Sequence, residues 1–250
     1  MTLEAPQSFV TRQECDKVAF QNGFRRSHGE TGGWRRYSST TAQGTIWLAR
    51  DVAGGWWLAV DHSGVIEELD DVPYAIEGPG MARYAFADLG ALYALMPRLY
   101  QLAASLPDAP LAQFQAKVRD LPTTTEAERL VVQRIGQDVF RSGLIEYWQC
   151  CCPLTGIKDA PLLRASHIIP WKDCETDAER LDVHNGLLLS ALWDAAFDRG
   201  LVTFDDDGEP QFSSSLSEIV LAELRWKQPL RLTDKHRVRL RWHRENQFIR

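Results

Sequence analysis

The residues best equipped for chemistry lie between positions 162 and 208. His167 follows the apolar run LLRAS, and His184, Asn185 and Gly186 stand together seventeen residues further on. Asp194 and Asp198 come next, four residues apart. Histidine is the side chain whose ordinary pKa lies close enough to neutrality to take and return a proton at physiological pH. Two acids four apart on a helix share one face and can act as a pair. These residue types are enough to propose a proton-transfer reaction.

For these side chains to meet, the elements carrying them must be packed together. LLRASHI reads as a strand with His167 near its end, and GLLLS, after the Asn185-Gly186 turn, reads as the returning strand. ALWDAAFDRG supports a short helix closed by Gly200. The order is strand, long loop, strand, helix. Such a ββα layout can hold a His, an Asn and a helix-borne ligand around one phosphate.

Upstream, Thr125 and Glu128 form a capping-box pattern that opens a helix running to about Trp148. Its buried side is expected to carry Leu130, Val131, Ile135, Val139, Phe140, Leu144 and Tyr147. Near the start of the chain, Thr11 and Glu14 suggest a helix over about 12–22. The segments GWRRYSST, GTIWLARD, GWWLAVDH and VIEEL then read as strands separated by glycine turns, the punctuation of an antiparallel meander. Leucines at helical spacing predict a helix over 86–106, with Pro97 inside it. The fold class expected is α+β. A small α/β-meander unit occupies 1–108, a proline-containing linker 109–123, and a second domain with flanking helices 124–250.

Composition sets the class of protein. With 44% hydrophobic and 25% charged residues, the 250-residue chain is an ordinary globular sequence. No apolar run approaches a membrane span and no basic start precedes an apolar block, so a cytoplasmic protein without membrane contact is expected. Cys150, Cys151 and Cys152 are adjacent and cannot form a disulfide ladder. The net charge of -6 hides an uneven distribution, because 225–250 holds nine lysines and arginines against Asp234 and Glu245. There, RLTDKHRVRLRWHRENQFIR reads as a helix from about Thr233, with Arg237, Arg241 and Arg244 at three- and four-residue spacing.

The second half of the chain resembles the HNH endonucleases, in particular their restriction-endonuclease branch. The resemblance is carried by AERLVVQRIGQDVFRSGLIEYW, the Cys-Pro-Leu-Thr-Gly turn, LLRASHIIPW, ERLDVHNGLLLS, DAAFDRGLVTFDDDG and LRWHRENQF, in this order across about 124–250. It implies a ββα-metal nuclease domain that hydrolyses phosphodiester bonds of double-stranded DNA. His167 is then the general base, and Asn185 orients it through its amide carbonyl. A divalent cation, Mg2+ or Mn2+, is implied as cofactor, with Asp194 as ligand in the position where the family carries its last His or its Asp. Many relatives place Asp or His just before the base, where this chain has Ser166. The second ligand is therefore open among Asp198, His184, a backbone carbonyl and His167. Arg237, Arg241, Arg244 and Arg164 are the candidate DNA contacts.

Several features have plainer readings. Asp205, Asp206 and Asp207 are consecutive, unlike the alternating ligands of a calcium loop, and suit a solvated hairpin turn. The cysteines lack the paired Cys-x-x-Cys spacing of a zinc knuckle, so structural zinc is not expected. Trp34, Trp47, Trp56 and Trp57 could stack bases, but core packing in a small sheet accounts for them. With a nuclease domain behind it, the 1–108 unit suits target recognition in restriction of foreign or modified DNA. The alternative, with Ser166 as its symptom, is a DNA-binding or partner-binding module with a decayed site. A homodimer is compatible with the sequence.

Overall fold

The computed structural model describes residues 2–122 and 124–250. The chain divides into two compact units, Met1–Ala109 and Pro110–Arg250. Among the described residues, no helix is long and apolar enough to cross a membrane.

The first unit contains α1 (Phe9–Gln21), β1 (Arg26–Thr31), β2 (Trp34–Ser38), β3 (Thr45–Arg50), β4 (Trp56–Val60), α2 (Ser63–Glu68), β5 (Ala82–Phe86) and α3 (Leu89–Ser105). Its five strands form one antiparallel sheet in chain order. α1 starts earlier than Thr11 and Glu14 suggest, because the Ser8 hydroxyl accepts from the Thr11 amide and becomes the cap. VIEEL is helical rather than extended. His62 caps α2 by accepting from the Val65 amide, and that local bond outweighs the β-branched composition. On one sheet face Trp34, Ala49, Trp57 and Ala59 pack with Trp47, Ala85, Ile76 and Leu3. Trp56 and Trp57 point to opposite faces, and both are buried.

The stretch expected as a linker carries a helix, α4 (Ala109–Val118). Pro110 sits in its first turn, where a missing N–H costs nothing, so a residue read as a breaker helps to start the element. Then come α5 (Glu126–Tyr147), β6 (Leu163–His167), α6 (Asp177–Leu181), β7 (Gly186–Ser190), α7 (Ala191–Asp198), β8 (Val202–Phe204), β9 (Pro210–Phe212), α8 (Glu218–Glu223) and α9 (Asp234–Asn246). β6 pairs with β7, and β8 with β9, both antiparallel.

α5 begins at the Thr125–Glu128 capping box and buries Gly136, Val139, Phe140, Gly143, Leu144 and Tyr147, one face at three- and four-residue spacing. Its glycines allow close approach. A Cβ at Gly136 would lie 2.5 Å from the Trp171 ring, and one at Gly186 of β7 would lie 2.5 Å from Phe140. The burial expected of Leu130 and Val131 is not found; they are 58% and 53% exposed, because the packed stretch starts only at Gly136. β7 is buried at all five positions, and α7 packs across the hairpin through Trp193, Ala196 and Phe197. The expected strand, loop, strand, helix order is thus present as β6, a loop containing α6, β7 and α7.

Candidate active site

His167 ends β6 with its ring stacked on Phe140, centroids 3.7 Å apart, and Trp171 meets it edge-on at 5.6 Å. Nε2 donates to the backbone carbonyl of Arg180 at 2.9 Å. A carbonyl can only accept, so the neutral ring carries its proton on Nε2 and leaves Nδ1 as the basic nitrogen. Burial pulls the imidazole pKa down to about 4, against the raising effect of the Arg180 carbonyl. At neutral pH the ring is uncharged and can accept a proton.

Asn185 does not orient His167 by the expected bond. Its side chain is fully buried, and Oδ1 accepts from the Ile169 amide at 2.9 Å. Nδ2 donates to the carbonyls of Ile169 at 3.2 Å and Glu179 at 3.3 Å, and to Cys174 Sγ. The Asn185 carbonyl also accepts from the Ile168 amide. Asn185 thus fixes the backbone that leaves His167, while the acceptor on the ring belongs to Arg180. The reason is reach: the amide is consumed by a loop whose own backbone groups would otherwise be buried without partners.

His184 belongs to a different cluster. It is fully buried, with Nδ1 bonded to Asp182 Oδ1 at 2.8 Å and its ring 5.2 Å from that of His236. Arg239 of α9 binds the other Asp182 oxygen. Burial works to raise the Asp182 pKa, but the His184 bond and the Arg239 charge bring it below the ordinary carboxylate value.

The acids of α7 take two different positions. Asp194 accepts a hydrogen bond from Ser166 Oγ at 2.6 Å, so the residue that departs from the expected pattern touches the helix-borne acid. Successive strand residues face opposite ways, which separates Ser166 from His167. Asp198, rather than Asp194, lines a cavity of about 370 Å³ together with His167, Trp171, Lys172, His243 and Gln247. Its pKa is raised to about 6 by partial loss of its water shell and by the Asp194 charge, against the lowering effect of Arg199. The two acids therefore feel each other. Among the described residues no group of three or more His, Cys, Asp or Glu side chains is gathered for a metal. Asp194 and the Ser166 hydroxyl that it touches are hard oxygen donors, as is the Asp198 carboxylate one helical turn on, and this is the donor chemistry that suits a Mg2+ or Mn2+ ion retaining several waters. Cys150, Cys151, Cys152 and Cys174 are free thiols.

His243 is a site residue that the sequence reading missed. It reaches the cavity from α9, stacks on Phe197 at 4.1 Å, and its Nδ1 lies 3.0 Å from the Thr203 hydroxyl. Burial lowers its pKa to about 4, against the raising effect of the Phe197 carbonyl. The available signal was an apolar-facing histidine inside a basic helix, and only the packing of α9 gives it meaning.

The arginines expected to meet DNA are engaged within the unit. Arg244 donates to Asp206 Oδ1 and to the Phe204 carbonyl, both at 2.6 Å, and Arg237 donates to the Asp206 carbonyl and to Asp234. Arg241 stays mostly exposed, 3.7 Å from Asp206. Arg164 closes on the carbonyls of Pro161 and Leu163. The 205–208 turn is thus more than a solvated connection, since Asp206 anchors α9 against β8. That the turn engages Arg237 and Arg244 of α9 is a tertiary effect with no local signature.

Residues 152–205 match the family described as HNH endonuclease. The matched segment contains His167, Asn185, Asp194 and Asp198 and stops before α9, so His243 lies outside it. No curated protein matches the chain. The chain is therefore of α+β class and carries an HNH endonuclease domain, a kind of domain associated with nucleases acting on DNA.

Proposed function

We propose that this protein is a metal-dependent HNH endonuclease that hydrolyses phosphodiester bonds of double-stranded DNA. The observation that supports this reading most is the state of His167, a neutral imidazole with its proton committed to the Arg180 carbonyl and its ring on the wall of a cavity. Attack on a phosphodiester needs a water that loses its proton as it attacks. Nδ1 of His167 is the acceptor, and the stack on Phe140 holds the ring against rotation. Asn185 keeps the 168–169 backbone from moving beneath it. Asp194 and Asp198, with the Ser166 hydroxyl, would hold the cation. When bound, a Mg2+ or Mn2+ ion supplies charge that offsets the phosphate and stabilises the leaving oxygen. Lys172 adds a positive group at the same cavity.

The 1–109 unit then serves target selection, and the whole chain acts in restriction of foreign or modified DNA. The warrant is the presence of a separate unit beside the nuclease domain, together with the resemblance of 124–250 to the restriction branch. The deciding experiment is a cleavage panel of unmodified, methylated and hydroxymethylated duplexes with Mg2+, Mn2+ or neither. Metal-dependent cleavage that differs between the duplexes supports both parts. Equal cleavage of all three refutes target selection by modification, and no cleavage of any refutes the nuclease reading.

A further inference from the structure

We propose that the Arg180 side chain is the positioning residue for the base, holding His167 in its working tautomer through the loop between β6 and α6. The inference rests on the nuclease reading for its catalytic consequence, but the arrangement itself is geometric. The carbonyl that receives the His167 proton belongs to a residue whose guanidinium is tied in three further places. Nε donates to the Trp171 carbonyl at 3.2 Å, Nη2 to the Cys174 carbonyl at 2.5 Å, and Nη1 to Asp177 Oδ1 at 3.0 Å. The guanidinium carbon also lies 5.8 Å from the centre of the Trp171 ring, the ring whose neighbour is His167 itself. One side chain therefore fixes two walls of the imidazole, the carbonyl beyond Nε2 and the indole at its edge.

Arginine suits this task because a planar fork can satisfy several carbonyls at once while its face covers an indole. Lysine has neither the fork nor the face. Asn185 holds the same loop from inside, through Ile169, Cys174 and Glu179. Its contacts end within the loop, whereas the Arg180 carbonyl bonds the imidazole and the Arg180 guanidinium lies over the indole beside it. Without the guanidinium, the Arg180 carbonyl is free to drift from Nε2. The imidazole then loses the bond that selects its tautomer, and the fraction carrying a lone pair on Nδ1 falls.

The test uses the full-length chain with Arg180→Ala and Arg180→Lys, each confirmed folded by its unfolding midpoint. The primary readout is the ring 15N shifts of His167, which report the tautomer and require no cleavage. The wild type is expected to show a single Nε2–H form, and Arg180→Ala a mixture of the two tautomers, with Arg180→Lys between them. In the cleavage assay, kcat of Arg180→Ala falls on the order of 10²-fold while KM is unchanged, the signature of a misplaced reacting group. Free guanidinium at millimolar concentration restores part of the Arg180→Ala rate. An unaltered tautomer in a folded Arg180→Ala or Arg180→Lys protein overturns the proposal, as does an unchanged kcat. Should the wild type fail to cleave DNA, the nuclease reading falls and the 15N comparison still decides the role of Arg180.

Discussion

The cavity has two walls that differ in how they are held. On the β6 side, His167 is stacked, hydrogen-bonded and backed by Asn185, whose fully buried amide bonds to Ile169, Cys174 and Glu179. On the α7 side, Asp194 accepts from the Ser166 hydroxyl, and Asp198, one helical turn on, has its pKa raised to about 6 by burial and by the Asp194 charge. The first wall is held by contacts within the fold alone. The second sets two carboxylates one helical turn apart, and a bound cation would offset their charge. The difference teaches that the fold alone holds the proposed base in place, whereas the proposed ligands would gain their stabilisation from a bound cation.

The largest effect expected from breaking this contrast is on stability. Asn185→Ala strands the Ile169 amide and the Ile169 and Glu179 carbonyls, and should cost about 3 kcal/mol. Asp198→Asn removes repulsion and should leave stability unchanged or higher, while weakening Mn2+ binding roughly tenfold in calorimetry. Chemical denaturation of both variants checks the pair, and equal losses would erase the distinction between the walls.

A somewhat smaller effect concerns pH. His236 is fully buried beside His184, and burial, followed by the His184 neighbour, lowers its pKa to about 3 against an ordinary value of 6.5. The unfolded chain therefore binds the extra proton between these values. The stability due to keeping His236 neutral is complete above 6.5 and is lost as pH falls towards 3. Between pH 7 and 5 the loss is about 2 kcal/mol from this residue. His167 and His243, both lowered to about 4, add losses of the same sign. Replacing His236 by Phe should flatten the dependence of the unfolding free energy on pH in this window. An unchanged slope would place the buried charge cost elsewhere.

Legibility of the sequence follows the same division. The β6–β7–α7 layout could be read because strand alternation, a Gly turn and a short helix with a glycine stop are local signals, and Thr125–Glu128 marked α5 for the same reason. The position of His167 was local too. What it bonds to was not, since Arg180 reaches the ring through a loop whose path depends on Trp171, Cys174 and Asp177. The roles of Asp198, His243 and Asp206 depend on how α9 lies against β8 and α7, which no spacing within one element encodes. VIEEL, in the first unit, misled because a histidine cap outweighed propensity, and Pro110, at the start of the second, misled because a proline in a first turn looks like a breaker.

The central claim is that His167 is the base of a phosphodiester hydrolysis, and the most direct measurement is supercoiled-plasmid cleavage by full-length wild type and His167→Ala in Mg2+ and in Mn2+. The account predicts that the variant loses between about 10²- and 10⁴-fold in rate, the usual contribution of a general base, while its affinity for the same DNA is unchanged. Cleavage by His167→Ala at the wild-type rate would contradict it.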